Sequence, residues 1–259
     1  NNITYLVSNQ SFDAINYSKL LISWASQNMK DSLRHEINQN YFTEAQEARE
    51  FLVNEKGWAL NDNGPIKNGI LALDSGSSKQ GFDATISVSI ADVQLLSDFY
   101  SVQFDLSLPS FVEFIGIDSS SINSNYSIQV NEVNSIYKFA LASDSLIDAN
   151  AHLFDITIRS DSLISGTAKF QNALFNASIV DSLEDGIITI DKFVAGDIDD
   201  SGDITAYDAA IVLNRSVGTN IIQSSNPLPW ENWRTSGADV DGDGQLLAMD
   251  ATLILKKVV

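Results

Sequence analysis

Two twelve-residue stretches in the last quarter of the chain constrain it more than anything else. One runs from Asp197 to Asp208 and the other from Asp239 to Asp250. The first places Asp197, Asp199 and Ser201 at positions 1, 3 and 5, Gly202 at position 6 and Asp208 at position 12. The second places Asp239, Asp241, Asp243, Gly244 and Asp250 at the same positions. Ca²⁺ is a hard cation that takes about six to eight oxygen ligands, and glycine at the sixth position lets the chain turn sharply beneath it. The pattern therefore predicts two bound Ca²⁺ ions. The carbonyls of Asp203 and Gln245 supply position 7. Thr205 supplies position 9 directly or through water, and Leu247, which has no side-chain oxygen, leaves that place to water. Asp200 lies outside the ligand positions and adds field without coordinating. The second loop has four carboxylates against three, so it is expected to bind more tightly. Without metal, the crowded carboxylates oppose folding, so metal binding and folding of this segment are coupled.

Each loop runs into an apolar helical segment. Ala209-Ala210-Ile211-Val212-Leu213-Asn214-Arg215-Ser216-Val217 aligns with Ala251-Thr252-Leu253-Ile254-Leu255-Lys256-Lys257-Val258-Val259. The tail reads as a small all-α domain with two EF-hand-like loops, without room for a full helix ahead of the first. Between its halves, Pro229 is expected to open a short helix, with Trp230 and Trp233 packing across the two longer ones.

A chain of 259 residues has room for two or three domains. Its formal net charge of -19 argues against a nucleic-acid partner. Part of that charge belongs to the loops, where bound cations offset it. There are no cysteines, which excludes disulfide and thiol chemistry. No apolar run reaches the ~18 residues of a membrane span. The chain opens on Asn1-Asn2-Ile3, not Met, and is read as part of a longer protein.

Residues 1–66 read as a small α/β unit. Leu20, Leu21, Trp24 and Ala25 recur at helical spacing. Thr43 with Gln46 predicts a capping box at the start of a second helix. Ala45, Ala48, Phe51 and Leu52 form its apolar stripe, Gly57 ends it, and Trp58-Ala59-Leu60 is extended. Asn61-Asp62-Asn63-Gly64-Pro65 reads as a linker.

From 67 to 192 the period becomes two. Segments 84–90, 102–108, 153–158 and 186–190 alternate apolar and polar residues, and 137–141 and 168–171 are further strand candidates. Many short alternating strands predict an all-β sandwich. Phe99, Tyr100 and Tyr126 are the aromatics that a sugar platform would require; packing is the expected role of each. His35 is expected at the surface and His152 at a turn or sheet edge. No nucleophile elbow, phosphate loop or zinc-protease motif occurs. Glu113, Glu132 and Glu184 lack an aromatic-lined cleft, so no enzyme activity is expected.

The paired loop–helix units, Asp at position 12, and Leu followed by basic residues make residues 193–259 resemble a dockerin domain. That resemblance implies a cohesin partner met by Ala206, Tyr207 and Arg215 in one half and by Ala248, Met249, Lys256 and Lys257 in the other. The sandwich, a jelly roll on this reading, resembles a cohesin domain. The points of likeness are the alternation at 84–90, Phe104-Asp105-Leu106, Phe154-Asp155-Ile156, Asn172-Ala173-Leu174-Phe175-Asn176 and Asp185-Gly186-Ile187-Ile188-Thr189-Ile190. Leu21-Ile22-Ser23-Trp24, Ala48-Arg49-Glu50-Phe51-Leu52 and Lys56-Gly57-Trp58 resemble the segment closing a leucine-rich-like repeat array in bacterial surface proteins. Together these imply a non-catalytic, calcium-dependent attachment module of a secreted or cell-surface bacterial protein, its cohesin carried by another protein or another copy. The alternative is a carbohydrate-binding sandwich with a dockerin, accessory to a polysaccharide-degrading enzyme. An intracellular calcium sensor fits less well, because position 12 is Asp and full entering helices are missing. The Asp191–Ala195 connector spans at most ~18 Å, which argues against a tail docking its partner surface on its own sandwich.

Overall fold

The computed structural model describes residues 13–27, 29, 31–180, 182–218 and 230–258. Three separate apolar cores organise them.

In the first unit, helix α1 (Ala14–Ser26) begins where the Asp13 carboxylate accepts the Asn16 N–H. It is followed by strands β1 (Arg34–Glu36) and β2 (Tyr41–Phe42), a 3-10 turn (Thr43–Ala45), helix α2 (Gln46–Asn54), and strands β3 (Ala59–Asn61) and β4 (Pro65–Ile66). β1 pairs with β3 and β2 with β4, both parallel. Tyr17, Leu21, Trp24, Ala45, Leu52 and Trp58 are buried together. Gly57 takes a left-handed φ of 65° and Trp58 N–H returns to the Leu52 carbonyl, which closes α2 as expected.

Four expectations for this unit change. The α-helix starts later than Thr43: the Thr43 hydroxyl donates to the Ile66 carbonyl, residues 43–45 form a 3-10 turn, and α2 begins at Gln46. Phe51 is exposed, because burying Ala45 and Leu52 turns the adjacent position about 100° away. His35 is fully buried: its ring lies 5.1 Å from Trp24, stacked, and 5.4 Å from Trp58. The expected linker is pinned inside the unit. Asp62 accepts from the Tyr17 hydroxyl and the Arg49 Nε, both at 2.8 Å, and its side chain is 1% exposed. Burial, with that hydrogen bond, raises the Tyr17 pKa.

The sandwich comprises β5 (Ile70–Leu73), β6 (Gly76–Lys79), β7 (Asp83–Ala91), β8 (Ser101–Ser107), β9 (Glu113–Ile117), β10 (Tyr126–Val133), β11 (Ile136–Ser143), β12 (Ala151–Arg159), β13 (Ile164–Phe175), β14 (Ser178–Ile179), β15 (Ser182–Glu184) and β16 (Gly186–Asp191). One sheet runs β10-β11-β8-β13-β16-β6, with β14 beside β13; the other runs β15-β5-β7-β12-β9. Alternation decides the faces: β7 buries Ala84, Ile86, Val88 and Ile90, and β8 buries Val102, Phe104 and Leu106. Phe104 stacks on Phe139 at 4.8 Å and meets Phe170 edge-on at 5.0 Å. Each such side chain, fully buried, contributes roughly 1.5–3 kcal/mol. Asn134 and Ser135, both at positive φ, turn the β10–β11 hairpin in the sense that suits its twist.

In the tail, α3 (Ala206–Ser216) packs on α5 (Ala248–Val258), with α4 (Asn232–Ala238) between them in sequence. Ile198, Ala209, Ile211, Val212, Ala238, Ala251 and Ile254 form the core. Trp230 packs against it and Trp233 is buried, in keeping with the packing role expected for both. Pro229, expected to open a helix, lies outside the described residues. Among the described residues, no helix is long and apolar enough to cross a membrane.

Candidate metal centre

The two loops share one backbone form. Positions 4 and 6 are left-handed in both: Asp200 (φ 62°) and Gly202 (φ 94°), then Gly242 (φ 76°) and Gly244 (φ 80°). Asp tolerates this region better than most residues, so Asp200 takes the place of a glycine. The first carboxylate folds each loop. Asp197 accepts the N–H groups of Ser201 at 3.0 Å and Gly202 at 2.9 Å; Asp239 accepts those of Gly242 at 2.9 Å, Asp243 at 3.1 Å and Gly244 at 2.9 Å.

The last carboxylate staples loop to helix. Buried Asp208 accepts from the Ile198, Asp199 and Thr205 N–H groups and from the Thr205 hydroxyl, and Thr205 caps α3. Asp250, equally buried, accepts from Val240 at 2.9 Å and Leu247 at 2.9 Å. The Thr205 hydroxyl, expected to reach a cation directly or through water, is thus engaged in the helix cap.

The structure gathers Asp197, Asp199 and Asp208 so that one oxygen of each lies within 4.8 Å of the others, and does the same for Asp239, Asp241 and Asp243. Asp250 stands outside the second trio, held by backbone N–H groups. Ser201 lies in the first loop with its hydroxyl donating to the Asp203 carbonyl at 3.2 Å. The Gln245 N–H donates to Asp243 at 2.8 Å. The donor set is hard oxygen throughout and suits a hard divalent cation. Lost hydration raises the Asp197 carboxyl, and the neighbouring Asp208 and Asp199 add to it. Asp241 is raised by the same causes, with Asp243, Asp250 and Asp239 as its neighbours. Crowded carboxylates that resist ionisation are sites where a cation relieves repulsion.

Two cations back the first loop, and nothing in the sequence pattern marks them. Lys79, at the end of β6, pairs with Asp200 across 121 positions of sequence. Arg234 of α4 donates its Nε to the Ile198 carbonyl at 2.7 Å. Burial lowers the Arg234 pKa, and Glu231, Asp200 and Asp199 oppose that shift.

The positions expected to meet a partner stand partly at the surface. Ala206, Tyr207, Ala248, Met249 and Lys256 are exposed, Tyr207 by 47% and Met249 by 56%. Arg215 and Lys257 also have partners inside the chain: the guanidinium of Arg215 lies 5.0 Å from the Trp230 ring, and Lys257 Nζ donates to the Ala195 carbonyl at 3.0 Å.

Residues 195–259 match the model of the dockerin type I domain. This dockerin-like segment takes in both loops and helices α3, α4 and α5. No curated protein matches the sequence. Among solved structures, the chain is similar to the cohesin module of a family 33 glycoside hydrolase from Clostridium perfringens, at 14% identity and a TM-score of 0.44, over 49% of this chain and 99% of that one. It is similar to a non-cellulosomal cohesin from the archaeon Archaeoglobus fulgidus, at 18% identity and a TM-score of 0.40, over 48% and 91%. It is also similar to a type I cohesin–dockerin complex from Clostridium thermocellum, at 16% identity and a TM-score of 0.37, over 48% and 99%.

Away from the dockerin-like segment, His152 is half exposed at the start of β12, beside Asp155 at 2.7 Å. Phe99 is buried, Tyr126 packs on the sandwich core, and Tyr100 remains 41% exposed.

Proposed function

We propose that this chain is a non-catalytic attachment module whose dockerin-like segment binds two Ca²⁺ ions and, so shaped, a cohesin domain. The observation that carries this reading is the repeated loop: one backbone form twice, each with a trio of carboxylates, inside a segment that matches a dockerin model. Asp197, Asp199, Ser201, Asp208 and the carbonyl of Asp203 hold one ion, with Thr205, its hydroxyl in the helix cap, contributing through water. Asp239, Asp241, Asp243, Gln245 and Asp250 hold the other. The bound ion supplies charge neutralisation; the chain supplies loop closure through Asp197, Asp239 and the two position-12 carboxylates.

Partner binding falls to Ala206, Tyr207 and Arg215, and to Ala248, Met249, Lys256 and Lys257. Exposed Tyr207 and Met249 are the apolar anchors and Lys256 is free to meet an acidic rim. The three separate apolar cores support reading residues 1–66, 67–192 and 193–259 as three domains. Such a module works outside the cell or at its surface. The cohesin belongs to another protein or to another copy of this chain. A sugar-binding sandwich fits less well, since Phe99 is buried in the core and Tyr126 packs against it.

Affinity capture of cohesin domains by the full chain, in calcium and in chelator, tests this. Capture in calcium alone is expected, with loss in a Tyr207→Ala/Met249→Ala double variant. Binding that survives the double variant overturns the surface assignment, and binding in chelator overturns the calcium requirement.

The first unit is read as the closing segment of a repeat array. Ile15 and Ile22 of α1, exposed by 45% and 41%, are apolar positions that an upstream repeat would cover. Hydrogen exchange on a fragment extended upstream should show α1 more protected than in this chain; equal protection counts against the cap.

A further inference from the structure

Lysine is almost never fully buried without a partner, yet the Lys79 side chain is 8% exposed at the end of β6, on the edge of its sheet. The tail provides much of that cover. Lys79 Nζ donates to the Asp200 carboxylate and lies 5.3 Å from the Trp233 ring. Asp191, its register neighbour on β16, stands 3.9 Å from the same ammonium. A second contact adjoins it. Phe82 of the sandwich meets Phe193 at 4.8 Å, and Phe193 reaches Gly237 of α4, where a Cβ would lie 3.3 Å from the Phe193 ring. The connector is held at both ends: Gln80 N–H donates to the Asp191 carbonyl and Gly196 N–H to the Gly237 carbonyl.

Asp200 explains why the first loop takes this role. It stands at position 4, between Asp199 and Ser201, in the left-handed conformation that the closed loop imposes. The equivalent position of the second loop is Gly242, which has no side chain to offer. The loop form that gathers the carboxylates is therefore the form that presents Asp200 to Lys79.

We propose that the edge of the sandwich is a docking surface for the first loop of the same chain, with Lys79 and Asp200 as its keystone, and that cation binding in that loop fixes the tail in one orientation on the sandwich. This rests on the calcium-binding reading of the loops. It assigns Lys79, outside the dockerin-like segment, to the behaviour of a site inside it. The coupling runs through one shared conformation, so docking and metal binding support each other.

The chain has no cysteines, so two introduced ones report on the contact. Spin labels on a full-length Ser127→Cys/Thr252→Cys variant, at exposed positions of β10 and α5, read the distance between sandwich and tail by double electron–electron resonance. In calcium, one narrow distance distribution is expected; in chelator, that peak is lost. Lys79→Gln and Asp200→Asn, made separately on this background, are expected to lose the narrow peak in calcium while calorimetry still counts two ions per chain. Asp200→Asn keeps the loop backbone and changes no ligand, so it serves where Lys79→Gln unsettles β6. Normal two-ion binding with a distribution unmoved by both substitutions overturns the docking surface alone. Normal binding with the same narrow peak in calcium and in chelator overturns the coupling. Absence of any calcium binding overturns the reading of the loops, and the coupling with it.

Discussion

The first and second loops have the same backbone and different surroundings. The first is half sunk: Asp197 is buried, Asp199 partly so, and Lys79 and Arg234 stand behind them. The second lies open, with Asp241 and Asp243 exposed, and carries one more carboxylate among its ligand positions. One loop has its repulsion partly answered by cations of the protein; the second turns the side chains of Asp241 and Asp243 to solvent. The comparison teaches that the repeated motif sets the backbone geometry, while each neighbourhood sets how exposed and how charge-compensated its carboxylates are.

The largest expected effect comes from the position-12 carboxylates. Asp208→Ala leaves the Ile198 and Asp199 N–H groups without their acceptor, a loss of about 1–3 kcal/mol per buried group. It should reduce calcium stoichiometry from two ions to one, read by calorimetry. Asp250→Ala should do the same for the second site. If either variant still binds two ions, these groups are not ligands. Next in size is the difference between the sites. The second should bind calcium about tenfold more tightly, equivalent to ~1.4 kcal/mol, and a titration that finds the first site tighter breaks the comparison.

Smaller still is the effect of pH. The metal-free Asp197 and Asp241 have folded pKa values above their unfolded ones. The stability they contribute is present below the unfolded pKa and is lost as pH rises through the raised one. In chelator, the tail should therefore melt higher in mild acid than at neutral pH. Asp105 behaves oppositely. Its burial is outweighed by hydrogen bonds from Lys138 and Asn172 and by the Lys138 charge, so its folded pKa is lowered. Its contribution is present above the unfolded pKa and is lost as pH falls through the folded one. Melting curves across this range, with Asp105→Asn as reference, separate the two slopes. A tail that melts lower in mild acid than at neutral pH in chelator would show that the carboxylates do not repel.

Much of the fold was legible because it follows local periods. The alternation at 84–90 and 102–108 places Ile86 and Phe104 inward without reference to any partner strand. The two carboxylate trios were legible for the same reason: each lies within twelve residues of sequence. What escaped depends on distant neighbours. β6 reads Gly76-Ser77-Ser78-Lys79, with no apolar period, and is a strand because β16 pairs with it. Polar His35 was expected at the surface, and its burial is set by Trp24 and Trp58 closing over it. Asp62 sits among turn-forming residues that normally mark a linker, and only Tyr17 and Arg49 reveal that the turn is anchored. Lys79 belongs to this group as well.

Calorimetric titration of the full metal-free chain with Ca²⁺, followed by circular dichroism of the same sample, tests the central claim most directly. Two binding events of unequal affinity, with a gain in helical signal as the tail orders, are the predicted result. No heat of binding and an unchanged spectrum would contradict it.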